Sequence, residues 1–167
     1  MTDESMQEFI DQMDNQMSKK SFRYFFVDIL GFDFSKHHED WKNGLEESQY
    51  FCVKASRDHG KSVFFMSYAL WLAAFNPNMH IMVFSHSLEQ TLEHMRFIKN
   101  NIENSRILRP LVPEGRPWAK SYFEFSNGSR IMAKSVGGAT RGFHPDVVVC
   151  DDILWGTSGT ELQRTAD

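Results

Sequence analysis

Three short, uninterrupted apolar runs constrain the fold of this chain more than any other feature. The runs occupy residues 50–53, 81–84 and 147–150. Short runs rich in β-branched and aromatic residues are typical of strands inside a sheet, and they are too short to form helices. Helical patterns lie between them, so the sequence predicts an α/β fold with a mostly parallel sheet flanked by helices.

The segments around these runs predict helices of different kinds. Residues 61–75 are apolar almost all round, which predicts a helix that is buried on most sides. Apolar residues of the segment 88–102 recur at spacings of three and four, which predicts one apolar face, and Ser87 suits the N-cap. Residues 22–30 and 35–47 predict two further helices before the first strand.

A β-hairpin is predicted just before the last strand. Residues 122–126 and 130–133 flank Asn127-Gly128, a pair that tolerates the positive φ angles of a tight turn. The run 147–150 has no polar interruption, so we expect it to be buried on both faces of a parallel sheet.

Composition argues against a membrane protein and against a disulfide scaffold. The chain has 167 residues, of which 41% are hydrophobic, and its densest apolar stretch is interrupted by Ser67. A membrane span needs roughly 20 apolar residues. The acidic amino terminus lacks the basic start of a signal peptide. Cys52 and Cys150 lie far apart in apolar runs, so we expect a soluble protein that is not secreted and resides in a reducing cytoplasm.

The charge is divided unevenly along the chain. The net charge is −4, yet residues 1–50 carry 11 acids and 5 bases, whereas residues 96–141 carry 9 bases and 3 acids. We therefore expect an acidic arm or helix at residues 1–21 and one domain at 22–167. The basic segment permits a face that could meet phosphates, and an ordinary solvated surface is the alternative.

The first predicted strand leads into a loop that ends like a phosphate-binding P-loop, G-x-x-x-x-G-K-[ST]. Such a loop wraps backbone N–H groups around a polyphosphate at the start of a helix. We expect Lys61 to lie against the β and γ phosphates and the Ser62 hydroxyl to bind Mg²⁺. Ala55 stands where the first glycine is usual, which requires a negative φ there, and an accidental turn is the alternative. The predicted nucleotide-binding residues are Ser56, Arg57, Asp58, His59, Gly60, Lys61 and Ser62.

Two adjacent carboxylates, Asp151 and Asp152, directly follow the last predicted strand. Ligands of open α/β sheets bind at the carboxyl ends of the strands, and buried carboxylates need a cation or a polar cleft. In P-loop ATPases the first acid holds Mg²⁺ and the second polarises the attacking water. We therefore predict a metal-binding role for Asp151 and a catalytic role for Asp152. The alternative is that Asp152 caps a helix.

Two arginines are candidates for stabilising charge on the γ phosphate. Arg57 lies inside the loop, and Arg141 lies in a glycine-containing stretch just before the acidic strand. Either could act as an arginine finger, from the same subunit or from a neighbour. Surface charge unrelated to phosphate is the alternative for each.

The string Ala-Ser-Arg-Asp-His-Gly-Lys-Ser at residues 55–62 resembles the variant P-loop of large terminase subunits, the ATPases that pump DNA into tailed-phage and herpesvirus capsids. Residues 128–142 and 145–153 are similar to that family's approach to its second acidic motif. Residues 32–41 resemble its pre-loop region. The likeness covers about residues 22–155 and lies in pattern and order.

The resemblance implies an ASCE-type P-loop NTPase whose ATP hydrolysis drives DNA translocation, with ATP and Mg²⁺ as cofactors. Lys61, Ser62 and Asp151 would bind Mg-ATP, and Asp152 would be the catalytic acid. Arg57 would sense the γ phosphate, and Arg141 would reach across to a neighbouring subunit.

The same resemblance implies the partners and the location of the protein. The partners would be double-stranded DNA bound without sequence preference, the portal, the small terminase subunit and further copies in a ring. The location would be the host cytoplasm and, transiently, the procapsid portal. We also expect the chain to be the amino-terminal fragment of a longer motor protein, without its nuclease domain.

The sequence departs from the family's pattern at two points. Asp152 stands where glutamate is usual, and no convincing glutamine occupies the adenine-contacting position. Residues 158–160 are similar in composition to the family's coupling motif, but they follow Asp152 too closely, and we interpret them as a helix cap. Two alternatives therefore stay open: a helicase-like or other DNA-dependent ATPase, and a nucleotide-binding assembly module with little turnover.

Overall fold

A computed structural model describes residues 3–56, 58–113, 119–136 and 143–153. Its four strands form one mixed sheet in the order β2-β3-β1-β4. Strands β3 and β4 run parallel to β1, and β2 pairs with β3 in the antiparallel sense. The predicted α/β class is therefore confirmed. The strands are β1 (His80–Ser85), β2 (Tyr122–Glu124), β3 (Arg130–Ser135) and β4 (Val147–Asp151).

The predicted helices all form, with bounds close to those expected. Gly31 ends the second one in a left-handed conformation, and Ser87 caps α5 by accepting a hydrogen bond from the Gln90 N–H at 3.2 Å. Among the described residues the helices are α1 (Asp3–Lys20), α2 (Phe22–Tyr24, continued by a π-helical turn at Phe25–Ile29), α3 (Lys36–Glu47), α4 (Lys61–Phe75), α5 (Leu88–Asn104) and a 3₁₀ turn at Arg109–Leu111.

The core lies between the sheet and helices α4 and α5. These helices contact each other and both contact β1 and β3. The register aligns Ile81 with Ile131 and Val83 with Ala133, and all four side chains are buried. A second layer of aromatic rings packs the amino-terminal helices onto α4, where the Phe22 ring lies 5.2 Å from that of Phe64. Edge contacts of this kind stabilise the layer beyond its buried area.

The predicted hairpin is confirmed, although its loop is longer than two residues. Strand pairing stops at Glu124 and Arg130, and the loop closes through a 2.9 Å hydrogen bond from Phe125 N to the Ser129 carbonyl. The Asn127 amide donates to the carbonyls of Ala73 and Ala74 at 2.8 and 3.1 Å. The loop thus satisfies carbonyls at the carboxyl end of α4, which fixes that helix against the sheet.

The prediction of a buried strand at residues 50–53 is wrong. This segment pairs with no strand in the part of the chain that the structure describes, and Tyr50 is 86% exposed. A strand needs a neighbour to satisfy its backbone groups, and this segment pairs with neither edge strand of the described sheet, β2 or β4. The residues therefore lead into the loop as irregular chain.

The prediction that the last strand is buried on both faces is also wrong. Val147 and Val149 pack against the core, whereas Val148 is 51% exposed and Cys150 is exposed. Successive side chains of a strand point to opposite faces, so only the alternate residues of β4 reach α4 and α5. Asp151 is two residues after Val149, so its side chain lies on the same face of the strand and points toward these helices.

None of the helices within the described ranges is both long enough and apolar enough to cross a lipid bilayer.

Candidate functional site

The predicted phosphate loop lies directly before α4, with Gly60 as the N-cap of that helix. Gly60 has a φ of +70° and Asp58 a φ of +66°, so the chain turns sharply just before the helix. Gly60 adopts this left-handed conformation without steric cost, whereas a residue with a Cβ pays about 1–2 kcal/mol there. Ala55 lies outside the positive-φ region, as its side chain requires. The loop therefore presents backbone N–H groups at a helix amino terminus.

Lys61 lies over the inner side of this loop. Its Nζ donates to the carbonyls of Ala55 at 2.7 Å and Ser56 at 3.0 Å. Both acceptors belong to the loop itself, so the ammonium group is held at the place where an anion would meet the helix amino terminus.

Ser62 and Asp151 meet although 89 residues separate them in the sequence. The Ser62 hydroxyl donates to Oδ2 of Asp151 at 2.6 Å. Ser62 comes from the first turn of α4 and Asp151 from the last residue of β4. The fold thus joins the end of the predicted phosphate loop to the first of the two predicted acidic residues.

His94 is a third member of this cluster, and it was not predicted from the sequence. Its Nε2 lies 3.0 Å from Oδ2 of Asp151, both side chains are more than nine-tenths buried, and this nitrogen has no aligned hydrogen bond with any described group. His94 comes from the second turn of α5. The available signal was its position next to Met95 on the buried side of that helix, where polar residues need a partner.

The pKa of the Asp151 carboxyl lies below its usual range. Burial by itself raises this pKa, but the hydrogen-bond contacts with His94 and Ser62 and the electrostatic influence of His94 and Lys61 lower it by more. Asp151 is therefore ionised at neutral pH, which is the state that binds a cation.

The donor atoms of this cluster fit Mg²⁺ when a nucleotide completes the site. The Ser62 hydroxyl and the Asp151 carboxylate supply hard oxygen ligands. The described residues contain no group of three or more His, Cys, Asp or Glu side chains arranged to hold a metal by themselves. Because Mg²⁺ commonly binds through one or two protein oxygens together with substrate phosphates, the cluster suits a metal that arrives with a polyphosphate.

Replacing His94 with alanine is expected to weaken Mg²⁺-dependent nucleotide binding by about ten-fold, in the range found for residues that orient metal ligands. The imidazole holds the Asp151 carboxylate, and its loss leaves that group free to rotate. The measurement is a Mg²⁺ titration at fixed ATP concentration. His144→Ala, at an exposed histidine, should leave the titration unchanged, and an unaltered midpoint in the His94 variant would contradict the role.

Asp152 lies beside this cluster but faces a different environment. It is exposed, has a φ of +47°, and lines a cavity of about 480 Å³ together with residues at the start of α5. That lining includes Glu89 and Glu93, so the cavity is acidic. Phosphate groups are repelled there, and the carboxylate of Asp152 is open to water.

Two histidines of α3, His37 and His38, lie next to the predicted phosphate loop. Their position there was not predicted from the sequence. The His38 ring stacks on Phe64 at 5.3 Å, and its Nδ1 accepts a hydrogen bond from Ser35 N. A Cβ placed on Gly60 would lie 3.5 Å from Nε2 of His38. The neighbouring His37 ring lies 5.8 Å from that of His59. Helix α3 therefore packs directly against the loop.

The pKa of His38 lies below its ordinary value of 6.5, mainly because burial disfavours the charged imidazole and further because of the adjacent His37. The folded state thus favours neutral His38, so the unfolded chain binds a proton at this residue more readily as the pH falls below 6.5. We expect the free energy of unfolding to decrease from about pH 7.5 to pH 5.5, measured by urea denaturation. His38→Gln should reduce this decrease and His144→Gln should not; equal pH dependence in His38→Gln and the unaltered protein would contradict it.

Three other predictions concern residues outside the described part of the chain. Arg57 and Arg141, the candidate γ-phosphate arginines, lie there, as does the segment 158–160 that imitates the coupling motif. For the remaining predicted nucleotide-binding residues, the structure brings Ser56, Gly60, Lys61 and Ser62 together around the loop and leaves the side chains of Asp58 and His59 exposed.

No protein-family model matches this chain, and no curated protein matches it.

Proposed function

We propose that this chain is the domain of a terminase-type viral DNA-packaging motor that binds and hydrolyses ATP in the presence of Mg²⁺. The observation that carries the proposal is the 2.6 Å hydrogen bond between Ser62 and Asp151. It joins two motifs that were identified independently in the sequence and that a P-loop ATPase needs at one place. An accidental G-K-S turn has no reason to lie against the acid of a distant strand.

The chemistry follows from the positions of these groups. Lys61 and the N–H groups at the start of α4 would bind the β and γ phosphates. Ser62 and Asp151 would hold Mg²⁺, which neutralises charge on the transferred phosphoryl group. Asp152, exposed next to Asp151, would accept a hydrogen bond from the attacking water and orient it toward the γ phosphate.

The DNA-binding part of the proposal is supported by basic side chains that gather around one cavity. A cavity of about 360 Å³ is lined by Arg96 and Lys99 of α5 and by Lys120, and its walls are otherwise apolar. No acidic residue belongs to the described lining, although Lys99 also pairs with Glu103 at 3.6 Å. A positive surface of this kind can bind the phosphate backbone of DNA whatever its base sequence.

Nucleotide binding is tested first, with a fluorescent ATP analogue and the chain as it stands. We expect binding that requires Mg²⁺ and that ATP, but not AMP, competes away, because AMP lacks the phosphates that Lys61 and the metal would contact. Equal competition by AMP, or binding that is indifferent to Mg²⁺, would refute the proposed site.

DNA binding is tested separately, by titrating double-stranded DNA at rising salt concentration. Because each phosphate contact releases counterions, the affinity should fall steeply with salt and should not depend on sequence. Binding that is unchanged by salt would remove the basic surface from the proposal. Arg96→Ala should reduce the salt slope, and the exposed Lys36→Ala on α3 serves as its control.

One observation favours a second candidate, a nucleotide-binding assembly module with little turnover. Asp152 has a shorter side chain than the usual glutamate and lines the acidic cavity together with Glu89 and Glu93. Measuring ATP binding and multiple turnover on the same preparation separates the two functions. We expect the chain alone to turn over ATP slowly, and a rate near one per second would contradict that expectation.

A further inference from the structure

Helix α1 exposes a row of large apolar side chains. Met6, Ile10, Met13 and Met17, with Phe9 beside them, are each between 43% and 55% exposed. Single exposed apolar residues are ordinary, but a continuous row along one side of a helix marks a surface that another element covers.

The spacing of this row is that of a coiled coil. The four residues Met6, Ile10, Met13 and Met17 are separated by four, three and four positions, and the alternation continues to a charged residue at each end. Such spacing places side chains at the a and d positions of consecutive heptads. We name this row the α1 seam: Asp3, Met6, Ile10, Met13, Met17 and Lys20.

Contacts with the rest of the molecule hold α1 by a different side. The Tyr24 hydroxyl donates to Oδ1 of Asp14 at 2.6 Å, and the Trp71 indole N–H donates to the Ser18 carbonyl at 2.7 Å. Ser18 is fully buried, whereas Met13 and Met17 on the seam remain about half exposed. The helix is therefore anchored near its carboxyl end with the seam left open.

The charges at the two ends of the seam select its partner. In an antiparallel pair of identical helices the a position of one faces the d position of the other, so Asp3 meets Lys20 of the second copy at both ends. A parallel pair would place Asp3 against Asp3 and Lys20 against Lys20, which is repulsive. A lipid surface is disfavoured because the opposite side of α1 carries two acids, Glu4 and Glu8, and a single base, Lys19, whereas interfacial helices are rich in basic residues there.

We propose that α1 pairs in the antiparallel sense with α1 of a second copy of this chain, through the α1 seam. The layers are Asp3 with Lys20, Met6 with Met17 and Ile10 with Met13, each occurring twice about a two-fold axis. An isologous contact of this kind closes after two copies, so it is separate from the contacts of the ring that the family resemblance implies. It goes beyond the proposed ATPase function and requires no nucleotide, so it stands or fails independently of that function.

The apolar layers are tested by sedimentation equilibrium over a wide range of protein concentration. We expect a monomer–dimer equilibrium that the double variant Ile10→Asp/Met13→Asp abolishes, because it places like charges in the central layers. The control Gln12→Asp/Asn15→Asp adds the same charge on the opposite side of the helix and should dimerise normally. Circular dichroism verifies that both variants remain folded, as expected for substitutions at exposed positions.

The antiparallel register is tested by exchanging the end charges. Asp3→Lys alone and Lys20→Asp alone should each weaken the dimer by roughly ten-fold, because each turns two attractive end contacts into repulsive ones. The double variant Asp3→Lys/Lys20→Asp should restore most of the affinity. The matched controls Glu4→Lys and Lys19→Asp change the same charges one residue away from the seam and should have little effect.

Four outcomes would overturn this proposal. The unaltered protein could remain monomeric at every concentration, the dimer could survive Ile10→Asp/Met13→Asp, or the charge exchange could fail to restore affinity. Co-sedimentation of a monomeric protein with phosphatidylcholine vesicles would assign the α1 seam to a lipid surface and would likewise refute the second copy.

Discussion

Replacing Lys61 with alanine is expected to weaken binding of Mg-ATP by roughly ten- to hundred-fold and to abolish ATP turnover in the proposed motor. The ammonium group now donates to the carbonyls of Ala55 and Ser56, inside the loop where the phosphates would bind. A charge-assisted hydrogen bond contributes about 1.5–3 kcal/mol, which corresponds to this loss of affinity. The measurement is equilibrium binding of a fluorescent ATP analogue, with turnover followed by phosphate release.

The matched control for this change is Lys54→Ala. Lys54 is an exposed lysine seven positions earlier that takes no part in the predicted site, so its loss removes the same charge without removing the phosphate contact. Its affinity for ATP should stay within about two-fold of the unaltered protein. Undiminished ATP binding by Lys61→Ala would exclude the loop as the nucleotide site, whatever the behaviour of the control.

Replacing Asp151 with asparagine is expected to remove the Mg²⁺ dependence of nucleotide binding and to slow turnover about a hundred-fold or more. Asparagine keeps the size of the side chain and can still accept the hydrogen bond from Ser62, but it lacks the negative charge that a divalent cation needs. Loss of one preorganised electrostatic group typically costs about 3–4 kcal/mol at the transition state. Binding and turnover are measured at increasing Mg²⁺ concentration.

The neighbouring acid supplies the comparison for this second prediction. Asp152→Asn should leave Mg²⁺-dependent nucleotide binding close to normal and slow only the turnover. Asp152 is exposed, and the hydrogen bond of Ser62 and the close contact of His94 are both with Asp151 instead. If the two variants lost Mg²⁺-dependent binding equally, or if Asp151→Asn kept it, the division of labour between the two acids would be wrong.

The positions of the helices could be predicted accurately because the sequence signals for a helix are local. The apolar segment at residues 61–75 and the apolar repeat after Ser87 became α4 and α5, with Asn76 and Ser87 at their ends. Caps and helical periodicity act over a few residues and need no distant partner. The hairpin at Asn127-Gly128 formed for the same reason, although pairing stopped at Glu124 and lengthened its loop.

Strands were harder to predict because the sequence of an apolar run does not show which other strand, if any, it will pair with. Residues 50–53 have the composition of a strand, but without a pairing partner in the described sheet they remain irregular and Tyr50 is exposed. The run at 147–150 does form β4, yet only its alternate residues are covered, since α4 and α5 meet the face to which Val147 and Val149 point. Pairing and coverage are decided by the whole fold.

The candidate site divides in the same way. The sequence alone supplied Gly60, Lys61, Ser62, Asp151 and Asp152, because each lies in a short motif whose chemistry is local to the chain. Only the tertiary structure could bring Ser62 to 2.6 Å from Asp151, place the buried His94 beside the same carboxylate, and pack His38 under Gly60. Motifs are encoded by neighbouring residues, whereas contacts between residues far apart in the chain exist only after the core has fixed where each helix and strand ends.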